Sequence, residues 1–247
     1  MRTLEGKHAL VTGGGTGVGA AIAVALAKEG ATVVICGRRK AQLEQVASQN
    51  SAIRALTADI TNETAIAALF DAGGPFDIVV ANAGAAESAP ARRTGIDQWN
   101  RMIAVNLTGV FLTLREGLRR MTGWGRLITV ASTAGLKGYP YVSAYCAAKH
   151  GAVGLTRALA LETAGTGVTV NALCPGFVET PMLEASVAAI AEKTGRSEAE
   201  ARAALTASNP AGRLVHPSEV AAAALWLCAP GSDMINGQAI AIAGGEI

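Results

Sequence analysis

The chain has little of what several specialised protein classes require. Its four cysteines, Cys36, Cys146, Cys174 and Cys228, are scattered. They form no Cys-x-x-Cys pair and no Cys/His ligand spacing, which argues against a disulfide framework or a metal site and leaves them as small buried hydrophobes. Net charge is +2 and charged residues make up 16%, too balanced a surface for a nucleic-acid or membrane-surface binder. No apolar run approaches the ~18 residues of a membrane span. The opening MRTLEGKHALVTG has no secretory signal, so the expectation is a soluble, cytoplasmic protein. Aromatic residues are only 4%, while glycine alone numbers 29, which suits helices packed closely against a sheet. With half of 247 residues hydrophobic, a sizeable core is easily buried.

What is present alternates. Lys7 to Thr12 reads as a strand, the run from Gly13 to Gly19 as a glycine-rich turn, and Ala20 to Glu29 as a helix stopped by Gly30. Strand, glycine turn and helix begin a βαβ unit. Gly13, Gly15, Gly17 and Gly19, with Thr16 and Val18 between them, let the backbone turn sharply and approach a pyrophosphate at the helix N-terminus. The spacing is Gly13-x3-Gly17-x-Gly19 rather than the commoner G-x-G-x-x-G. Thr32 to Cys36 is a second strand. A site for NAD usually has an acid at the end of this strand, to hold the ribose 2′-hydroxyl. Here Arg38, Arg39 and Lys40 stand instead, which suits a 2′-phosphate. NADP(H) is therefore the expected cofactor, with NAD(H) the alternative.

Further strands are expected at Ile53–Leu56, Ile78–Val80, Gly125–Ala131, Val168–Leu173 and Gly237–Ile242, with helices between them. Asp59 has two readings: a hydrogen bond to an adenine amino group, or a cap on the helix beginning near Thr61. Ile96 to Met121 is long enough for one extended helix with Asn106 inside it, and an interior asparagine calls for a reason. Either its side chain bonds a neighbouring backbone, or it holds a water or carbonyl near an active site. Ser132 ends the fifth strand, and Tyr145 and Lys149 are four apart on a helix that Ser143 is expected to cap. That spacing puts phenol and ammonium on one face. The nearby positive charge is expected to lower the phenol pKa, an arrangement for moving a proton on or off a carbonyl oxygen. The whole chain, 1–247, reads as one α/β domain, a Rossmann-type doubly wound parallel sheet of about seven strands. Residues 180–213, alternating alanine and charge, read as a small helical lid inserted over the site.

These pieces, in this order, resemble the short-chain dehydrogenase/reductase family over essentially the whole chain. The resemblance is carried by Thr12-Gly13-x3-Gly17-x-Gly19, Asn82-Ala83-Gly84, Asn106, Ser132, Tyr145-x3-Lys149 and Pro175-Gly176, with Ala81 where the family often has asparagine. It implies a catalytic set of Asn106, Ser132, Tyr145 and Lys149. Tyr145 would be acid or base, Lys149 would tune it and hold the nicotinamide ribose, Ser132 would orient the substrate oxygen, and Asn106 would hold a water behind Lys149. The glycine turn would hold the pyrophosphate, Arg38 would favour NADP(H), and Asp59, Ile60, Asn82, Ala83 and Gly84 would line the adenosine side. Pro175, Gly176, Val178 and Thr180 would complete the cofactor site. Val168–Met182 is similar to 3-oxoacyl and polyketide ketoreductases, and Leu161–Gly165 to 3-hydroxybutyrate dehydrogenases. The implied activity is NADP(H)-dependent reduction of a ketone such as a 3-oxoacyl thioester. The alternatives are an NAD(H)-dependent secondary-alcohol or 3-hydroxy-acid dehydrogenase and, from another class, a non-catalytic nucleotide-sensing scaffold, against which the complete set of four residues weighs. The partners expected are a small carbonyl or alcohol substrate and further copies of the chain in a homotetramer or dimer. The small-residue face of the Tyr145 helix and the apolar end Ala239–Ile247 are the expected contacts.

Overall fold

The computed structural model describes residues 3–247. The strands are β1 (His8–Thr12), β2 (Thr32–Gly37), β3 (Ile53–Thr57), β4 (Ile78–Ala81), β5 (Gly125–Val130), β6 (Val168–Pro175) and β7 (Ala239–Ile242). All pair in parallel, in the order β3-β2-β1-β4-β5-β6-β7. Side chains alternate across a strand, so each strand feeds two cores. Ala9 and Val11 of β1 join Ile22 and Leu26 of α1 (Gly17–Lys28) and Val220 and Ala224 of α9 (Pro217–Cys228). Leu10 joins the opposite layer, with Ile66 and Leu69 of α3 (Glu63–Gly73) and Leu159 of α6 (Ser143–Glu162). α2 (Lys40–Ala47) lies on the α1 side. The strand order reverses between β1 and β4, and in such sheets ligands bind beyond the strand C-termini at that switch point.

The long helix expected from Ile96 is three pieces: α4 (Ile96–Ile103), a π turn over Ala104–Thr108, and α5 (Gly109–Arg120). Asn106 sits inside the π turn. After β6 come α7 (Pro181–Thr194) and α8 (Glu198–Thr206), the helical pair expected over 180–213. Thr180 caps α7 through Leu183 N–H, and Ser197 with Glu200 makes a capping box on α8. Leu183 and Val187 of α7 pack against Ala201 and Leu214, giving the pair a small core of its own.

Two local expectations are corrected. Ser143 is the first helical residue of α6, not its cap; Val142 holds the cap position and contributes no side-chain bond. Asp59 does not cap α3, because the helix starts four residues later and Asn62 Oδ1 accepts Ala65 N–H at 2.9 Å. The small residues of α6 fall on two faces, and Ala147 and Gly154 are exposed and open to a contact between copies. Ala148 and Ala152 are fully buried, and a Cβ on Gly151 would lie 2.9 Å from Leu107, whereas Gly154 faces open space. The cysteines are free and buried, as expected. Among the described residues, no helix is long and apolar enough to cross a membrane and no cluster of potential metal ligands occurs.

Candidate active site

The glycine turn is built for close approach. Gly13 and Gly17 have φ of +66° and +56°, a region side chains disfavour. A Cβ on Gly13 would stand 2.8 Å from Ala83 Cα, and one on Gly19 would stand 2.4 Å from the Gly13 carbonyl oxygen. The turn is braced from β4. Asn82 Nδ2 donates to the Thr12 carbonyl at 2.8 Å, and Thr12 Oγ1 accepts the Asn82 and Ala83 amides, both at 3.0 Å. Asn82 therefore serves the turn with its side chain, and Thr12 carries a bracing role that its place in the motif did not reveal. Thr16, at the cap of α1, makes no side-chain bond to the helix, so the amides of Gly17, Val18 and Gly19 stay available to an anion. Gly15 backs onto the Gln42–Leu43 turn of α2. The cradle fits a dinucleotide pyrophosphate.

At the end of β2, Arg38 and Arg39 are exposed, and Arg39 Nη2 reaches Thr16 Oγ1 at 3.3 Å. Asp59 Oδ1 accepts both the amide and the hydroxyl of Thr61, at 2.9 and 2.8 Å. Those bonds, with a smaller contribution from the Arg38 charge, hold its carboxyl below the usual range. Ile60 is buried, and its side chain fills the space over Gly109, so only its backbone is free to meet a ligand. On the other side of the switch point, Gly84 leaves room that a Cβ would take from Asn106 Oδ1, 2.9 Å away.

Asn106 is fully buried. Its Nδ2 donates to the carbonyls of Ala85 (2.9 Å) and Met102 (3.1 Å), and its Oδ1 accepts Ala85 N–H (3.2 Å). The side chain thus bonds backbone both in its own helix and at Ala85 beside the site, which fits both readings, and through it the π turn holds the start of the Ala85–Gly95 loop. π turns of this kind recur at functional sites.

β5 delivers Ser132, whose Oγ accepts Ala134 N–H at 3.1 Å and starts a short 3-10 turn. In α6, Tyr145 is half-buried and Lys149 is only 4% exposed. Lys149 Nζ donates to the Val130 carbonyl at 2.9 Å and lies 5.6 Å from the centre of the Tyr145 ring. The Tyr145 phenol is pushed up rather than down. Burial raises it, and the Ser132 hydroxyl opposes that only in part. The physical reason is burial, which outweighs any help from the Lys149 ammonium, whose hydrogen bond goes to the Val130 carbonyl. Burial likewise pulls Lys149 down to about 8.

Three segments wall the space in front of these groups. The Ala85–Gly95 loop joins the loop after Ser132 through Ala89 N–H donating to the Tyr141 carbonyl (2.8 Å). Tyr141 has a left-handed φ of +69°, rare for a bulky residue and typical of constrained functional loops. α7 closes the other side: Lys193 Nζ donates to the Ser88 carbonyl at 2.9 Å. Tyr139 and Phe177 meet edge to face at 6.2 Å. Gly176 and Val178 lead from β6 to this wall, with Pro175 ending the strand. Thr180 is the link back to the cradle, its methyl 3.0 Å from where a Gly17 Cβ would be. All the residues expected at the site thus gather at the C-terminal edge of the sheet. Glu246 reaches the same wall and was not anticipated, as no motif marks it.

Comparison with known proteins gives the family. A family model described as short chain dehydrogenase matches residues 7–191. A D-beta-hydroxybutyrate dehydrogenase of Cupriavidus necator is 41% identical over 247 residues, 95% of this chain and 95% of that protein. The crystal structure of a variant actinorhodin polyketide ketoreductase with NADPH superposes with a TM-score of 0.91 at 37% identity, over 100% of this chain and 99% of that one. A 3-ketoacyl-(acyl-carrier-protein) reductase from Brucella melitensis, complexed with NADH, gives 0.88 at 35% identity, over 98% and 99%. The chain therefore belongs to the short-chain dehydrogenase/reductase family and is an NAD(P)-dependent oxidoreductase.

Proposed function

We propose that this enzyme reduces a ketone, with a 3-oxoacyl thioester as the leading candidate, to the secondary alcohol using NADP(H). The observation that carries the reading is the Tyr145 phenol, a proton donor at neutral pH, with Ser132 beside it and the Lys149 ammonium 5.6 Å from the centre of its ring. The bound nicotinamide supplies the hydride. Ser132 Oγ and the Tyr145 hydroxyl orient the ketone oxygen, and Tyr145 gives it a proton as negative charge develops there. The Lys149 cation favours the phenolate that is left, and Asn106 fixes the Ala85 backbone beside this relay. In the alcohol-oxidising direction Tyr145 is the base.

For the cofactor, the turn from Gly13 to Gly19 takes the pyrophosphate. Asp59, the Ile60 backbone, Ala83 and Gly84 take the adenosine, and Pro175, Gly176, Val178 and Thr180 take the nicotinamide side. Arg38 and Arg39, with no acid at the end of β2, favour a 2′-phosphate. The α7–α8 pair acts as the substrate lid of a single domain. We also assign the protein to the cytoplasm and to a homotetramer. Leu161 (81% exposed) and Met234 (95%) offer apolar contact for the assembly, and a mass measurement in solution decides between tetramer and dimer.

The test is hydride transfer from NADPH and NADH to an acetoacetyl thioester and a panel of ketones. Tyr145→Phe removes nearly all turnover, and a variant keeping half the rate sinks the assignment. The likeness to D-beta-hydroxybutyrate dehydrogenase supports a second reading, an NAD(H)-dependent 3-hydroxy-acid dehydrogenase. A wild type that prefers NADH, with Arg38→Ala unchanged in preference, selects that reading.

A further inference from the structure

The last residue but one lies inside the wall of the substrate space. The Glu246 side chain is 3% exposed. Its Oε1 accepts the Tyr139 hydroxyl at 2.5 Å and pairs with Lys137 Nζ at 3.2 Å, while the Lys137 ammonium also reaches the Glu246 backbone carbonyl at 3.2 Å. Oε2 faces Gly176, where a Cβ would stand 3.1 Å from it. The Tyr139 hydroxyl lies 2.7 Å from Thr133 Oγ1, and Thr133 follows Ser132 directly. Burial first, and the carboxylate second, keep the Tyr139 phenol protonated, so the phenol donates to Glu246 and Thr133 donates to the phenol.

The tail that carries Glu246 is shaped to reach this point. Gly244 and Gly245 take φ of +58° and +91°, and a Cβ on Gly244 would strike Asn209 Oδ1 at the foot of the lid. The chain end thus seats on Asn209–Pro210 and turns inward. A buried carboxylate is costly unless fully partnered, and here a cation and a phenol from one loop satisfy it.

We infer that Glu246 is a positioning residue for ketone reduction: through Tyr139 and Thr133 it fixes the loop that aims the Ser132 hydroxyl. The mechanical path is short. The turn after Ser132 is held by the Gly135 amide on the Ser132 carbonyl (2.8 Å) and by the Leu136 and Lys137 amides on the Thr133 carbonyl (2.9 and 3.0 Å). Beyond these local bonds, Thr133 Oγ1 is anchored to Tyr139, and Tyr139 to Glu246. Small displacements of an orienting group cost large factors in rate. The Tyr139–Thr133 part of the tether touches neither the glycine cradle nor Gly176, which only Glu246 Oε2 faces, so Tyr139→Phe leaves the nucleotide site untouched. The inference rests on the ketone-reductase reading for its kinetic arm only.

The experiment compares wild type, Glu246→Ala, Tyr139→Phe and the double variant. Lys137 is 39% exposed and can turn to water when Glu246 is removed, so the fold is retained. Amide hydrogen exchange at Gly135–Lys137 is expected to speed up roughly tenfold in each single variant, with β1 and β4 unchanged. With a ketone that the wild type reduces, kcat/KM is expected to fall roughly tenfold in each, NADPH affinity by fluorescence to stay constant in Tyr139→Phe, and the double variant to be no worse than either single one, as members of one chain are non-additive. Unchanged exchange at Gly135–Lys137 overturns the inference, as does unchanged kcat/KM or additive loss in the double variant. A wild type that reduces no ketone refutes the proposed function instead, and hydrogen exchange then decides whether the tether exists.

Discussion

Replacing Lys149 by methionine should abolish activity and make the protein more stable. The ammonium is 4% exposed and has one hydrogen bond, to the Val130 carbonyl. Burial lowers its pKa from 10.5 to about 8. At about 1.4 kcal/mol per pKa unit, holding it charged in the folded state at neutral pH costs roughly 3 kcal/mol. Methionine is similar in length, carries no charge and fills the same channel. Losing the bond to Val130 returns roughly 1 kcal/mol of that gain. The net expectation at pH 7 is a variant roughly 2 kcal/mol more stable, or a midpoint some 4–8 °C higher for a chain of this size.

The pH dependence separates this cause from better packing. The folded-state pKa lies below the unfolded one, so between about 8 and 10.5 the unfolded chain holds more protons. Wild-type stability relative to the variant therefore rises with pH across that window, and the gap narrows toward pH 10.5. Urea unfolding at pH 7, 8, 9 and 10 measures it, with the wild type and variant compared at each pH so that other titrations cancel. A variant less stable than wild type at pH 7, or a gap that stays constant to pH 10, refutes the desolvation argument.

Other expectations are as direct. Asn106→Leu keeps the volume and leaves the Ala85 amide and carbonyl and the Met102 carbonyl without their partner. A loss of roughly 3 kcal/mol in urea unfolding is expected, together with loss of turnover, and a fully stable variant contradicts the clamp. Gly19→Ala puts a methyl 2.4 Å from the Gly13 oxygen and from Asn82 Nδ2. Since neither the carbonyl nor its braced partner can move freely, NADPH affinity measured by fluorescence should fall at least roughly tenfold, or about 1.4 kcal/mol. Arg38→Ala should lower the preference for NADPH over NADH, read as a ratio of kcat/KM values, while changing NADH use little.

The alternation of strands and helices was legible because each element repeats its own period over enough residues to be read locally. The strand ends were legible too, since Thr12, Ala81 and Ser132 lie where apolar runs stop. What escaped depends on partners distant in sequence. The π turn has no local signature. An ordinary helix through Ile96–Arg120 would satisfy the same pattern, and the extra residue is explained only by the bond from Asn106 to Ala85, 21 positions away. The sign of the Tyr145 shift escaped for a related reason. Spacing four residues apart fixes a shared helix face, but the direction of the ammonium and the degree of burial belong to the whole fold. Glu246 meets Tyr139 across 107 positions.

These long-range ties arrange the site in two parts with different mechanical support. The proposed reaction centre stands on the first turns of α6, with Tyr145 and Lys149, and just beyond β5, where Ser132 is also tied through Thr133 to the side chains of the wall. The substrate wall is held by side chains instead: Lys193 on Ser88, Tyr139 on Thr133 and Glu246, and the Ala89 amide on a strained Tyr141. Bonds of that kind are individually worth about 1 kcal/mol and can be exchanged without disturbing the sheet. Thr180 also joins the two parts, because one side chain both caps α7 and lies against Gly17. A ligand seated on the cradle therefore meets the root of the lid directly. Under the proposed function, the proton donor thus rests on the part held by the helix and sheet, and the choice of ketone on the part held by side chains.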